Sequence, residues 1–177
     1  MSSALLYTLL MGATALERLF EMFISRRNAA WSFAKGGKEH GQGHFPAMVL
    51  LHTGFLLACP AEVWLLDRPF IPWLGWLLLA LAVAAQGLRW WCITTLGPRW
   101  NTRVIIVPNL PRIMGGPYRF IRHPNYVAVV CEGLILPLIH SAWITAIAFT
   151  VLNAWLLTVR IRCEDQALSE LAGESHD

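Results

Sequence analysis

The chain has 177 residues, enough for one domain, and 56% of them are hydrophobic against 14% charged, where a soluble chain carries roughly a quarter charged residues. That charge deficit, with nine Trp, ten Pro and thirteen Gly, is the composition of a membrane protein and excludes collagen-like, disordered and disulfide-stapled classes. The net charge of +3 does not indicate nucleic acid, because the basic residues sit between apolar runs rather than along one soluble surface.

Apolar windows of about 20 residues, the length that crosses a bilayer, occur at Leu5–Ile24, Phe45–Leu66 and Phe70–Leu88. Ala13-Thr14-Ala15 in the first resembles a leader cleavage site. A leader also needs a basic start, and Met1–Leu10 has none, so this window is expected to stay as a helix. A fourth apolar stretch, Tyr126–Val159, is too long for one crossing and too short for two with a loop. Pro137 and the His140-Ser141 pair divide it, which predicts a tight helical hairpin with a short first arm. The expected fold is therefore all-α: one polytopic membrane domain over residues 1–177, with five transmembrane helices ending in that hairpin.

The basic residues provide an independent count. Positive charge collects on the cytoplasmic side. Arg26, Arg27, Lys35 and Lys38 follow the first span; Arg89, Arg99, Arg103, Arg112, Arg119 and Arg122 follow the third; Arg160 and Arg162 follow the fifth. With five spans these groups share one face, and the other face has Arg68 alone beside Asp67. The expected orientation has the N-terminus outside and the C-terminus in the cytoplasm, with a bacterial inner membrane as the setting. Polar-cofactor chemistry then belongs to Arg26–His44, Trp90–Asn125 and the segment from Arg160 onward.

Glu17, Glu21 and Ser25 recur every four residues and share one helix face inside the first span. They either pair with Arg18 or a base on another helix, or line a substrate pocket; His52 in the second span bonds a neighbouring helix or lines a cavity. No metal is expected. His40 and His44 are separated by Gly41-Gln42-Gly43, which breaks the helix that would present both rings together, and Cys59, Cys92, Cys131 and Cys163 lie too far apart for a zinc or redox pair.

The densest signal is Gly115-Gly116-Pro117-Tyr118-Arg119-Phe120-Ile121-Arg122-His123-Pro124-Asn125-Tyr126. Two glycines before a proline fix a turn and let backbone amides approach a ligand, and the turn delivers the chain to a helix N-terminus that attracts a carboxylate or phosphate. Downstream, Arg160 and Glu164 are four apart on one helix face, the spacing of an ordinary ion pair.

At these residues the sequence resembles the isoprenylcysteine carboxyl methyltransferase family of integral-membrane enzymes. The family's Gly-x-Tyr, Arg-His-Pro-x-Tyr and, after a hairpin, Arg-x-x-x-Glu are matched by Gly116 and Tyr118, by Arg122 to Tyr126, and by Arg160 and Glu164. The resemblance implies S-adenosylmethionine as cofactor, held by Tyr118, His123, Pro124, Asn125, Tyr126 and Glu164, with Leu110, Pro111, Arg112 and Ile113 adjoining it. It assigns Arg160 to the methyl acceptor, and Arg160 with Glu164 to catalysis. Leu110 stands where a His is common, and the family's Tyr-containing tail beyond the Glu motif is missing.

The N-terminal half, through Arg18-Leu19-Phe20-Glu21, Ser25-Arg26-Arg27-Asn28 and His44-Phe45-Pro46 with His52, looks like bacterial members linked to type III polyketide synthases. That implies O-methylation of a long-chain alkylpyrone or alkylresorcinol, with Glu17, Glu21 and His52 near the acceptor. The alternatives are an isoprenylcysteine carboxylate as acceptor, an NADPH-dependent sterol-type reductase, which shares Arg-His-Pro-x-Tyr, and a non-catalytic scaffold or small transporter.

Overall fold

The structure is a computed structural model that describes residues 2–108, 110, 111 and 113–174, giving only the course of the helix for 168–174. The described residues form five α-helices: α1 (Ser3–Ala34), α2 (Phe45–Leu65), α3 (Pro72–Leu96), α4 (Pro124–Leu138) and α5 (Trp143–Glu174). Local chemistry sets their starts. The Ser2 side chain accepts a hydrogen bond from the Leu5 amide to cap α1, and α2, α3 and α4 each carry proline in the first turn, where its missing N–H costs nothing. The predicted hairpin is present. α4 ends one residue past Pro137, and Ser141 adopts φ +57° as the chain reverses into α5.

α4 lies between α3 and α5, α5 also packs on α2, and α2 on α1. The bundle is layered along its axis. At the hairpin end Tyr7, Met11, Phe55, Cys59, Leu136, Ile139 and Phe149 form an apolar core. In that layer Glu62 of α2 caps α5: its carboxylate accepts the Ile144 and Thr145 amides at 3.1 and 2.7 Å and the Thr145 hydroxyl at 2.8 Å, and it pairs with Arg68 at 2.8 Å. The solitary base of that face is thus neutralised within the chain.

Midway along the bundle the interior is ionic. Glu21 is 2% exposed and receives Arg89 Nε and Nη2 at 2.6 and 2.7 Å and Arg18 Nη1 at 2.8 Å. Arg18 Nη2 also reaches Glu132 of α4 at 3.2 Å, while Glu17 accepts from Gln86 and Trp90 of α3. The outer faces are the reverse, with Leu16, Leu19, Phe23, Leu57, Trp73, Ile147 and Trp155 exposed. Charges inside and large apolar side chains outside is the distribution of a protein solvated by lipid.

Three helical stretches, Gln42–Leu65, Pro72–Arg99 and Trp143–Ala167, are long and apolar enough to cross a membrane. α4, at 15 residues, is about 22 Å long, shorter than a bilayer's hydrocarbon, and α1 has its ionic residues at mid-length.

Two features depart from the sequence expectation. Arg89 does not flank a span: α3 continues to Leu96 and carries Arg89 into the interior, because Glu21 opposite accepts its guanidinium with both oxygens. The fold is also not purely helical. Lys38–His40 (β1) and Val104–Ile106 (β2) pair antiparallel, with Glu39 opposite Ile105; the β-branched Val-Ile-Ile run supplies the propensity. This ribbon fastens the α1–α2 connection to the α3–α4 connection.

Replacing Glu62 with alanine strips α5 of its cap and leaves Arg68 unpaired. The substitution is expected to lower stability by about 2 kcal/mol, read as a fall in Tm in detergent.

Candidate active site

At the end of the bundle opposite the hairpin, the long α3–α4 connection folds back over the helix ends. The polar face of α1 fixes its first part. Asn28 Nδ2 donates to the carbonyls of Gly97 and Trp100 at 3.1 and 2.7 Å. The Ser25 hydroxyl donates to Asn101 Oδ1 at 2.8 Å and accepts the Thr102 amide at 3.0 Å. The second part is the predicted turn. Gly116 takes φ +53° at the head of a 3-10 turn, Gly116–Arg119, and a Cβ there would lie 2.4 Å from Thr95 Oγ1 of α3. Only glycine allows both that backbone and that approach.

Between these two parts and the inner ends of α4 and α5 lies a half-open cleft of about 250 Å³. Of the residues expected at the cofactor, Leu110, Pro111, Ile113, Tyr118, His123, Asn125, Tyr126 and Glu164 all line it, as does Arg160. Pro124 is fully buried as the first residue of α4, between two of them. Arg112 lies outside the described residues. Glu17, Glu21 and His52 are elsewhere, in the middle of the bundle.

Sequence reading placed the opposite wall only within broad segments and singled out none of its residues, Ser32, Trp100, Asn101 and the β2 strand with Val107. Arg99 Nη1 ties that wall to the turn by donating to the Pro111 carbonyl at 2.6 Å. The Val104–Ile106 run was the available signal, but its partner strand is 64 residues or more away in sequence and has no strand pattern of its own.

Arg160 and Glu164 do not form the plain i, i+4 pair. The Tyr126 hydroxyl stands between them, accepting from Arg160 Nε at 2.9 Å and donating to Glu164 Oε2 at 2.5 Å. Arg160 Nη1 donates to the Thr102 carbonyl at 2.5 Å and touches Met48 Sδ at 3.5 Å, while its Nη2 makes no hydrogen bond to the described residues. The guanidinium is thereby clamped from three sides and keeps donors unspent. His123 stacks on Tyr126, with centroids 5.3 Å apart and 18° between planes, and its ring nitrogens lie 3.9 Å from Glu164 and 3.7 Å from Asp165. Burial pushes the Tyr118 phenol well above its ordinary pKa, so it remains a neutral hydroxyl. Three buried atoms of cleft residues, Trp100 Nε1, His123 Nε2 and Asn125 Oδ1, have no hydrogen-bond partner among the described residues. Such atoms are costly unless a ligand satisfies them.

A cleft lined by four guanidiniums, the Glu164 carboxylate and aromatic faces, at one end of an apolar bundle with lipid-facing sides, is the layout of an integral-membrane enzyme. The model of the isoprenylcysteine carboxyl methyltransferase (ICMT) family matches residues 77–170, over half of the chain and including every residue of the Arg160–Tyr126–Glu164 group. The chain belongs to this family, and with it to the membrane methyltransferases. An uncharacterized protein of Bacillus subtilis (strain 168), YpbQ, is 37% identical over 166 residues, covering 93% of this chain and 98% of its own. An uncharacterized protein of Haemophilus influenzae is 27% identical over 159 residues, 89% and 92% of the two chains. No solved structure matches.

Gly116→Ala forces a Cβ onto a left-handed backbone against Thr95. A loss of about 2 kcal/mol is expected, measurable as a lower Tm, with the cleft wall displaced.

Proposed function

We propose that the protein is an S-adenosylmethionine-dependent O-methyltransferase that acts, within the membrane, on a hydroxyl or enol of a lipidic acceptor, a long-chain alkylpyrone or alkylresorcinol. The observation that carries the reading is the Arg160–Tyr126–Glu164 group set in a cleft whose Trp100, His123 and Asn125 atoms lack partners. The cofactor's chemistry matches that set. Its adenine and ribose offer donors and acceptors for the three unpartnered atoms, and its positive sulfonium suits the Tyr126 and His123 faces and the Glu164 carboxylate. Tyr118, Asn125, Leu110, Pro111 and Ile113 would complete the binding surface. When bound, S-adenosylmethionine supplies an electrophilic methyl group.

The chain's own task is then alignment and exclusion of water. Arg160, fixed by Tyr126 and Thr102, directs its unspent donors at the acceptor oxygen and favours the anionic form that attacks. An acidic pyrone enol is already ionised near neutrality, whereas a resorcinol hydroxyl, titrating near the tyrosine value of about 10, gains most from that guanidinium. The acceptor's tail would lie among the apolar helix faces. α1 and α4 join the three apolar helices as spans in this reading. In this reading the cleft end and the C-terminus face the cytoplasm, with the N-terminus outside and the bundle in a bacterial inner membrane; the basic segments at the cleft end support that orientation. The product class fits a working link to a type III polyketide synthase.

His123→Ala and Glu164→Ala should each weaken S-adenosylhomocysteine binding at least tenfold by isothermal titration, with Tm little changed. Arg160→Ala should retain that binding but lose a hundredfold or more in methylation of an alkylresorcinol or alkylpyrone by labelled cofactor. Full affinity in the first two variants places the cofactor elsewhere. Methylation of a farnesylcysteine but of neither polyketide lipid replaces the acceptor by a carboxylate.

A further inference from the structure

A second cavity lies in the middle of the bundle, about 40 Å³ in volume, bounded by Arg18, His52, Phe55, Arg89, Glu132 and Phe149, among others. A buried water needs roughly 10–15 Å³ of such space, so the cavity admits a hydroxyl or two and no complete ring.

Its walls differ in what they offer. The guanidiniums are committed: Arg18 to Glu21, Gln86 and Glu132, and Arg89 to Glu21. Glu132 is not. Its Oε2 lies 3.2 Å from Arg18 and 3.8 Å from Arg89, but its Oε1 is buried with no hydrogen-bond partner among the described residues, on a residue 8% exposed. His52 Nδ1 is 2.8 Å from the Met48 carbonyl. A carbonyl can only accept, so in the neutral ring Nδ1 holds the proton and Nε2 carries a lone pair. Across α1, α3 and α4, the carboxylates of Glu17, Glu21 and Glu132 face the two guanidiniums of Arg18 and Arg89. The cluster thus sets three carboxyl groups against two guanidiniums in an apolar bundle. Two acceptors and room for a hydroxyl describe a site for a neutral hydrogen-bond donor.

One residue links the wall of the cavity to the wall of the cleft. Met48 touches Arg160 with its sulfur and holds His52 with its carbonyl. Met48 and His52 are one turn of α2 apart, about 6 Å along the axis.

We propose that Glu132 and His52 form a hydroxyl-recognition site for the acceptor, accepting hydrogen bonds from a second, non-reacting hydroxyl of a dihydroxy ring whose reacting oxygen is held at Arg160. The proposal rests on the lipidic-hydroxyl reading of the acceptor and narrows it: dihydroxy rings are selected over monohydroxy rings, and a site of two acceptors offers a carboxylate headgroup no donor.

The test compares binding of pentadecylresorcinol and pentadecylphenol, which differ by one hydroxyl, to the full-length protein in lipid nanodiscs. Wild-type protein should bind the resorcinol about tenfold more tightly, the scale of one hydrogen bond to a charged group. Glu132→Gln presents an amide donor where the carboxylate accepted, and His52→Phe removes the lone pair. Each should cut the preference to twofold or less, with S-adenosylhomocysteine affinity serving as the check of folding. The proposal is overturned if wild-type protein shows no preference, as a water-filled cavity would give, or if both variants keep the wild-type ratio. Turnover is read separately: a protein that binds S-adenosylhomocysteine but methylates neither lipid refutes the acceptor reading, while the binding ratio still decides the role of the cavity.

Discussion

The arrangement of this molecule depends on the burial of the Arg89 guanidinium. A guanidinium inside an apolar bundle carries a desolvation cost of several kcal/mol unless a carboxylate meets it with good geometry. Glu21 does so with both oxygens, at 2.6 and 2.7 Å. Because Glu21 is on α1 and Arg89 on α3, the pair fixes the rotation of α1 about its own axis. Arg18 and Glu132 extend the same constraint to α4. Breaking any one of these contacts strands a buried charge, so the cluster specifies one packing of α1, α3 and α4 where apolar contacts alone would permit several.

The rotation set by Glu21 decides what the rest of that helix face meets. Ser25, Asn28 and Ser32 follow it at helical spacing and are all buried. Ser25 and Asn28 hold the backbone of residues 97–102, and Ser32 forms part of the cleft wall. The Thr102 carbonyl so positioned receives Arg160. A continuous set of hydrogen bonds thus runs from the ion cluster in the middle of the bundle to the Arg160–Tyr126–Glu164 group at its end, through α1, the α3–α4 connection, α5 and α4. Functional geometry held by elements from both halves of the chain is consistent with the family model beginning at residue 77 while relatives align along nearly the whole length.

Lipid-facing and cleft-forming parts of the chain obey different rules. On the outside, apolar size suffices. Inside and at the cleft, polar atoms need partners, and among the described residues the exceptions are Trp100, His123 and Asn125 at the cleft, Glu132 at the inner cavity, and His140, Thr150 and Asn153 elsewhere in the bundle. The first four line the two cavities, where bound molecules would repay the cost of leaving them bare.

The sequence by itself determined the helices and most of the cleft's inner side. α2 begins and ends within one residue of its apolar window, and the hairpin turns where Pro137 and His140-Ser141 place it, because apolar run length and proline act locally. Gly116 to Tyr126 and Arg160 to Glu164 were legible for the same reason: each is a short segment whose chemistry is complete in itself. Only the tertiary structure decided that Arg89 belongs inside the bundle, that Lys38–His40 and Val104–Ile106 pair, that Tyr126 separates Arg160 from Glu164, and that Glu132 faces a cavity with His52. Each of these depends on a partner far away in the chain, and local propensity carries no record of which distant side chain will satisfy a buried charge.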